Sequence, residues 1–333
     1  MTNDEINLLK KHIRRATSED EKKLPKFSYS KIEQFLNCPL AYNFKYNQKM
    51  STTDTSLALE LGSLLHGILE KKGYMLRETG CVDFELLDKL IYGGIIETNK
   101  RADKEILGIT ALKKKYWEIW SIPDSEGRTY DEKLKLFDRV LHSEMQNDDW
   151  KPFAFEMPFE YVWDDKVILH GFIDRIDEKE EGATKIFRTI DYKSSKKIFA
   201  NSKLPTSLQF VIYAFAIFAY FGTLPSESVY KFILLDEKQE ALTNGWVKRA
   251  VKKLTQTFDA IEKRDEESRF EPKPSPLCRW CNYSVTNPDA HDYKDMCEYY
   301  SLWTPENKTF EKNKEWNALE NKEPIETKRK LIF

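Results

Sequence analysis

Apolar positions fall at helical spacing through the first half of the chain and alternate in the second. Residues 1–25 are strongly charged, end at Pro25 and are read as a loose or weakly helical arm. Ser28 or Ser30 can cap a helix through KIEQFLNCPLAYNFKY, where Ile32, Phe35, Leu36 and Leu40 share a face. Pro39 lacks an amide proton and should disturb that helix or join two short ones. SLALELGSLLHGILEKKGYMLRE predicts a second helix with Leu61, Leu65, Ile68 and Leu69 on its apolar face. Gly62 and Gly67 allow a close neighbour there. From about residue 80 to 150 the pattern stays helical and charge-rich, with no phosphate-binding glycines, and predicts a helical lobe.

The period changes at Phe153. FAFEMPFEYVW alternates and is rich in aromatics, which predicts a strand. KVILHGFIDRIDE and TKIFRTIDYKSS are two more strands, separated by the polar EKEEGA turn. SLQFVIYAFAIFAYFG is a helix, SVYKFILLDE a further strand, and residues 246–264 a last amphipathic helix. Residues 270–300 show no period, and 305–333 are a charged tail. Three strands, a helix and a strand predict an α/β core with a mixed sheet.

Composition narrows the function. Hydrophobic residues are 41% and charged residues 32% of the 333, enough for a substantial core under a charged surface. The longest apolar run, Phe210–Phe221, is shorter than the roughly 20 residues that span a bilayer. The N-terminal stretch lacks the apolar core of a signal peptide, so no membrane and a cytoplasmic location are expected. The formal net charge is −2. That balance suits an enzyme holding a polyanion in a confined channel better than one that coats it.

Candidate chemistry sits on the strands. Asp191 and Lys193 are two apart, so their side chains share one face. If their strand pairs with its predecessor through the 178–184 turn, Asp174 comes near Asp191. Two carboxylates repel unless a cation lies between them, and hard cations such as Mg²⁺ or Mn²⁺ prefer oxygen ligands. Such an ion activates water and polarises a phosphodiester. Lys193 would hold the attacking water or neutralise the phosphate. An isolated Asp-x-Lys is more often two solvated residues on an exposed strand; the surrounding pattern changes the reading.

Five pieces occur in order: FSYSKIEQFLNCPLAYNFKY, GSLLHGILE, HGFIDRID, IDYKSSK and QFVIY. Together they resemble the RecB-like branch of the PD-(D/E)XK nuclease superfamily, over residues 27–70, 155–235 and 268–300. The resemblance implies a restriction-endonuclease-like core, a mixed central sheet flanked by helices, with a helical lobe and a C-terminal Cys-rich segment. It divides the chain into the arm (1–25), N-terminal nuclease helices (26–74), helical insertion (75–150), nuclease core (151–268), Cys-rich segment (269–303) and tail (304–333). It implies that Asp174, Asp191, His66 and the backbone carbonyl of Tyr192 hold the metal, and that Lys193 is the catalytic lysine. Gln209 and Tyr213 resemble residues that contact DNA and support the site. Glu70 lies one turn from His66, and Arg175 and Asp177 belong to the motif without an assigned role. The spacing of Asp174 and Asp191 exceeds that of compact relatives, and the EKEEGA turn accommodates it.

LCRWCNYS with Cys297 makes a Cys-x2-Cys-x15-Cys array. In a reducing compartment such cysteines are thiols or metal ligands. Mixed sets suit zinc, here Cys278, Cys281, His291 and Cys297. The branch that includes AddB and CRISPR-associated RecB-like exonucleases implies instead a 4Fe-4S cluster on Cys38, Cys278, Cys281 and Cys297, stapling the two ends of the chain. The last gap is longer than in those relatives, and the position near Asn287 is not Cys; an insertion, PDAHDYKD, accounts for both. Cys81 is left as a core thiol.

The activity implied is a metal-dependent DNA exonuclease acting on single strands or duplex ends. Alternatives are a structure-specific endonuclease of the same fold and a catalytically silent DNA-binding subunit. The chain holds no G-x-x-x-x-G-K-[ST], so a helicase, recombinase or integrase-like protein is the expected partner. In the lobe, Lys113, Lys114 and Lys115 beside Tyr116 and Trp117 suit phosphate contact and base stacking, and equally suit a solvated helix with a buried aromatic edge.

Overall fold

The alternation that begins at Phe153 becomes the centre of a seven-stranded mixed sheet. A computed structural model describes residues 2–297 apart from 51–56, 97–105, 124–128, 143–148, 195–197, 199–206, 234, 236, 241–244, 286, 288–292 and 295. The chain forms two units, one of residues 1–29 and 55–252 and one of residues 30–54 with the chain from 253 onward.

The first unit opens with α1 (Asn3–His12), β1 (Ile13–Arg15), α2 (Ser18–Lys23) and β2 (Lys26–Phe27). Capping boxes at Thr2/Glu5 and Thr17/Asp20 start the two helices. The stretch read as a loose or weakly helical arm carries these two helices, and β1 extends the sheet. Its three residues are too few to display a period.

The long strands are β5 (Lys151–Trp163), β6 (Val167–Glu181) and β7 (Thr184–Lys193). They form an antiparallel meander, and β1 pairs with the outer edge of β5. After β7 the chain crosses through α10 (Leu208–Phe221) to β8 (Glu227–Phe232), which runs parallel to β7; β9 (Glu237–Glu240) closes the sheet. Helix α10 is apolar on nearly all sides and is buried from Phe210 to Phe218. Gly222, with φ +73°, ends it in the left-handed conformation that glycine adopts freely.

The partners of β6 change along one edge. Its other edge is taken by β5 from Val167 to Glu178. Hence β2, at Ile168–Leu169, and β7, from Arg175 onward, share the remaining edge. Residues 170–174 lie in the fork between them, and Asp174 stands at its mouth.

The long helix α5 (Leu57–Thr79) precedes the lobe, which holds α6 (Phe84–Tyr92), β3 (Ile95–Ile96), β4 (Ile106–Leu107), α7 (Ile109–Lys115), α8 (Trp117–Trp120) and α9 (Tyr130–His142). A shared core of Leu64, Leu65, Ile68, Leu87, Ile91 and Leu112 holds these helices. The close approach falls at Gly73, where a Cβ would come within 2.1 Å of the Phe155 ring, whereas Gly62 has ordinary space.

In the second unit, α3 (Tyr29–Asn37) stops before Cys38 and α4 (Pro39–Tyr42) restarts with Pro39 at its first turn, where no amide proton is needed. A π-helical turn follows at Asn43–Asn47. Most of α11 (Trp246–Glu267) and a 3₁₀ turn at Pro276–Trp280 belong to this unit. Among the described residues no helix is long and apolar enough to cross a membrane.

Candidate active site

Three acids line up across β5, β6 and β7. Phe155 pairs with Arg175 and Met157 with Ile173, so Glu156 lies opposite Asp174. One step past the last β6–β7 pair, Arg175 with Ile190, come Asp174 and Asp191. The relative exposures of Glu156, Asp174 and Asp191 are 4%, 6% and 1%. Three carboxylates so shielded in one stretch of sheet strongly favour a cation.

His66 projects from α5 toward this row. Its Nδ1 is 3.2 Å from Glu156 Oε1 and 3.5 Å from Asp174 Oδ2. Ligand atoms of His66, Glu156 and Asp174 all fall within 4.8 Å of one another. Asp174 also meets the backbone: Tyr192 N–H donates to its Oδ2 at 2.8 Å, replacing the strand pairing that stops one residue earlier. Two carboxylates and one imidazole, with Asp191 on the neighbouring strand, fit Mg²⁺ or Mn²⁺.

Asp191 belongs to a second set. Lys193 Nζ lies 2.6 Å from Asp191 Oδ2 and donates to Gln209 Oε1 at 3.1 Å. Gln209 Nε2 donates to Asp191 Oδ1 at 2.6 Å, and Tyr213 Oη donates to the same oxygen at 3.2 Å. The Gln-x-x-x-Tyr spacing places both on one face of α10. Burial, then the charges of Asp191 and Asp174, hold the Tyr213 phenol well above its ordinary value, so it stays a neutral donor.

Glu156 is the site residue that sequence reading missed. In FAFEMPFEYVW it occupies the polar half of an alternation and looks solvent-facing. Its φ of +43° breaks the alternation, and Phe155 and Glu156 are buried in succession. A non-glycine residue in the left-handed region is strained, and such strain collects at functional sites. Glu70 is buried, and with His66, Ser63, Gly62 and Glu156 it lines a cavity of ≈ 270 Å³ beside the row.

Arg175 and Asp177 alternate with Asp174 along β6 and enter a closed ion network instead. Arg175 Nε donates to Asp177 Oδ1 at 2.5 Å and Arg188 Nη2 to Asp177 Oδ2 at 2.6 Å. Phe155 and Trp150 cover the two guanidiniums. These motif residues hold strands β6 and β7 together.

The lobe cluster is mostly engaged within the fold. Lys115 and Tyr116 reach Glu60 of α5, and Lys113 pairs with Asp131. Trp117 is 69% exposed.

Cys38, Cys278, Cys281 and Cys297 all line one cavity of ≈ 290 Å³. Cys38, Cys281 and Cys297 pack against Ala41, Phe44 and Tyr283. Burial pushes the Cys281 thiol up to about 12 and raises Cys278, so a cation is what would draw thiolates there. Four thiols around one cavity fit a cluster. His291, the nitrogen ligand of the zinc alternative, lies outside the described residues. Cys81 is exposed beyond the end of α5, which corrects its reading as a core thiol.

A family profile described as the PD-(D/E)XK nuclease superfamily matches residues 26–286. Among curated proteins, a subunit of an "ATP-dependent helicase/deoxyribonuclease" of Clostridium botulinum (strain Loch Maree / Type A3) is 28% identical over 216 residues, 58% of this chain and 18% of the relative. The proteins of the same name from Clostridium tetani and Clostridium novyi are 27% and 24% identical, over 55% and 54% of this chain and 16% of each relative. The chain thus spans under a fifth of the length of these relatives.

Proposed function

This chain belongs to the PD-(D/E)XK nuclease superfamily, and on that premise we propose that it is a Mg²⁺- or Mn²⁺-dependent DNA exonuclease acting on single strands or duplex ends. The observation that carries the reading is the convergence of His66, Glu156 and Asp174 beside the Asp191–Lys193 pair. His66, Glu156, Asp174, Asp191 and the Tyr192 carbonyl would hold the ion. When bound, the ion lowers the pKa of water and polarises the scissile phosphate. Lys193 would hold the attacking water through a hydrogen bond or neutralise the charge on the phosphate oxygens. Gln209 and Tyr213 keep Asp191 in place, and neutral Tyr213 donates without adding charge.

The cysteine cavity is proposed to hold a structural 4Fe-4S cluster on Cys38, Cys278, Cys281 and Cys297. Anaerobic purification then yields a brown protein with one cluster per chain; a colourless protein with stoichiometric zinc overturns that assignment. The relatives are named as helicase/deoxyribonuclease subunits, which supports a role on DNA beside a helicase.

The test is a timed digest of 5′- and 3′-labelled linear DNA with each metal. Asp191→Ala and Lys193→Ala should lower metal-dependent digestion by about a hundredfold or more; activity retained at the wild-type level would sink the assignment. Circular single-stranded DNA should survive, and its cleavage makes the enzyme an endonuclease.

A further inference from the structure

We propose that Tyr230 is a positioning residue for Lys193, which rests on the nuclease reading of this site. The parallel register of β7 and β8 sets Tyr230 beside Asp191. Adjacent positions in a sheet project to the same face, so its ring extends the row of Glu156, Asp174 and Asp191 onto a fourth strand. Tyr230 is 4% exposed. Lys193 Nζ lies 5.2 Å from the centroid of its ring. With Asp191 Oδ2 and Gln209 Oε1, the ring gives the ammonium a third contact. A flexible four-carbon stem needs such walls to hold its charge in one place.

The hydroxyl of Tyr230 has a separate task. It lies 2.7 Å from Ser207 Oγ, at the N-cap of α10, and the ring packs 4.2 Å from that of Phe210. The helix carrying Gln209 and Tyr213 is thereby tied to the ring that faces Lys193. One side chain fixes both the amine and the helix whose amide orients it. A mere core position would be served by phenylalanine or leucine. The ring's negative face suits an ammonium specifically, and a partly buried contact of this kind is worth about a tenfold change in rate if it is strongest at the transition state.

The full chain is assayed on labelled single-stranded DNA with Mn²⁺, measuring kcat, KM and Mn²⁺ affinity for wild type, Tyr230→Phe and Tyr230→Leu. The Leu variant should lose about tenfold in kcat with KM and Mn²⁺ affinity unchanged, and the Phe variant, keeping the ring, should recover most of the loss. Unchanged kcat in Tyr230→Leu overturns the proposal. So does a Phe variant as slow as Leu, or a Leu variant that loses Mn²⁺ affinity in step with kcat. A wild type that leaves DNA intact overturns the nuclease reading itself, a result distinct from any of these.

Discussion

Two groups of buried acids lie within a few residues of each other on β6, and they are balanced in opposite ways. Asp177, fully buried, meets two guanidiniums, Arg175 and Arg188, each in a hydrogen-bonded ion pair. Asp174 meets a backbone amide and an imidazole, with Glu156 on one side and Asp191 on the other. With Glu227 3.9 Å from Arg188, the first group sets two carboxylates against two guanidiniums and is complete as protein alone. The second carries three carboxylates against Lys193 and His66, and on our reading its charge is balanced by an added cation. Charge balance, rather than acidity or burial, separates a strand-holding network from a metal site.

The largest effect should come from breaking the balanced group. Asp177→Asn leaves two buried guanidiniums without their shared partner and should cost about 3–5 kcal/mol in urea unfolding, with or without metal. A loss well below 1 kcal/mol would show that water reaches that network. On the other side, Lys193→Ala should lower metal-dependent digestion by about a hundredfold or more with little change in stability. Glu156→Gln should cost about ten- to a hundredfold in metal-dependent rate, yet raise the melting temperature of the metal-free protein by removing one like charge. A lowered metal-free melting temperature would mean the acids are already balanced.

A third buried charge sharpens the contrast. Lys72 is 1% exposed, donates to the Leu141 carbonyl and packs over the Phe84 ring. Burial, then the charge of Lys231, brings its pKa down to about 8. It sheds its charge by losing a proton only above that pH. The folded pKa lies below the unfolded value near 10.4, so the unfolded chain holds more protons between those limits. Stability should therefore gain a rising component from about pH 8 toward pH 10.4, and Lys72→Met should remove it. A parallel pH profile for the Met variant would contradict this assignment.

Much of this was legible in the sequence where short-range geometry governs. Alternation puts Asp191 and Lys193 on one face, and helical spacing puts Gln209 and Tyr213 on another. Mixed-sheet topology followed from the order of strands and helix. Glu156 was hidden because the polar half of an alternating strand looks solvent-facing, and no local pattern announces a positive φ at which Phe155 and Glu156 are buried in succession. In the first 25 residues, read as a loose or weakly helical arm, the strand was missed for a related reason. Their capping boxes were visible as Thr-x-x-Glu and Thr-x-x-Asp, but β1 exists only through its pairing with β5. The lysines of the lobe suited phosphate contact and a solvated helix equally, and only folding shows Lys115 held by Glu60.

The most direct test is thermal unfolding of wild type, Asp174→Asn and Glu156→Gln, with and without Mn²⁺. Binding to the folded state alone raises stability as metal exceeds its dissociation constant. Wild type should gain stability with Mn²⁺, and both variants should lose most of that gain. Equal stabilisation of all three proteins would place the metal elsewhere and contradict the account.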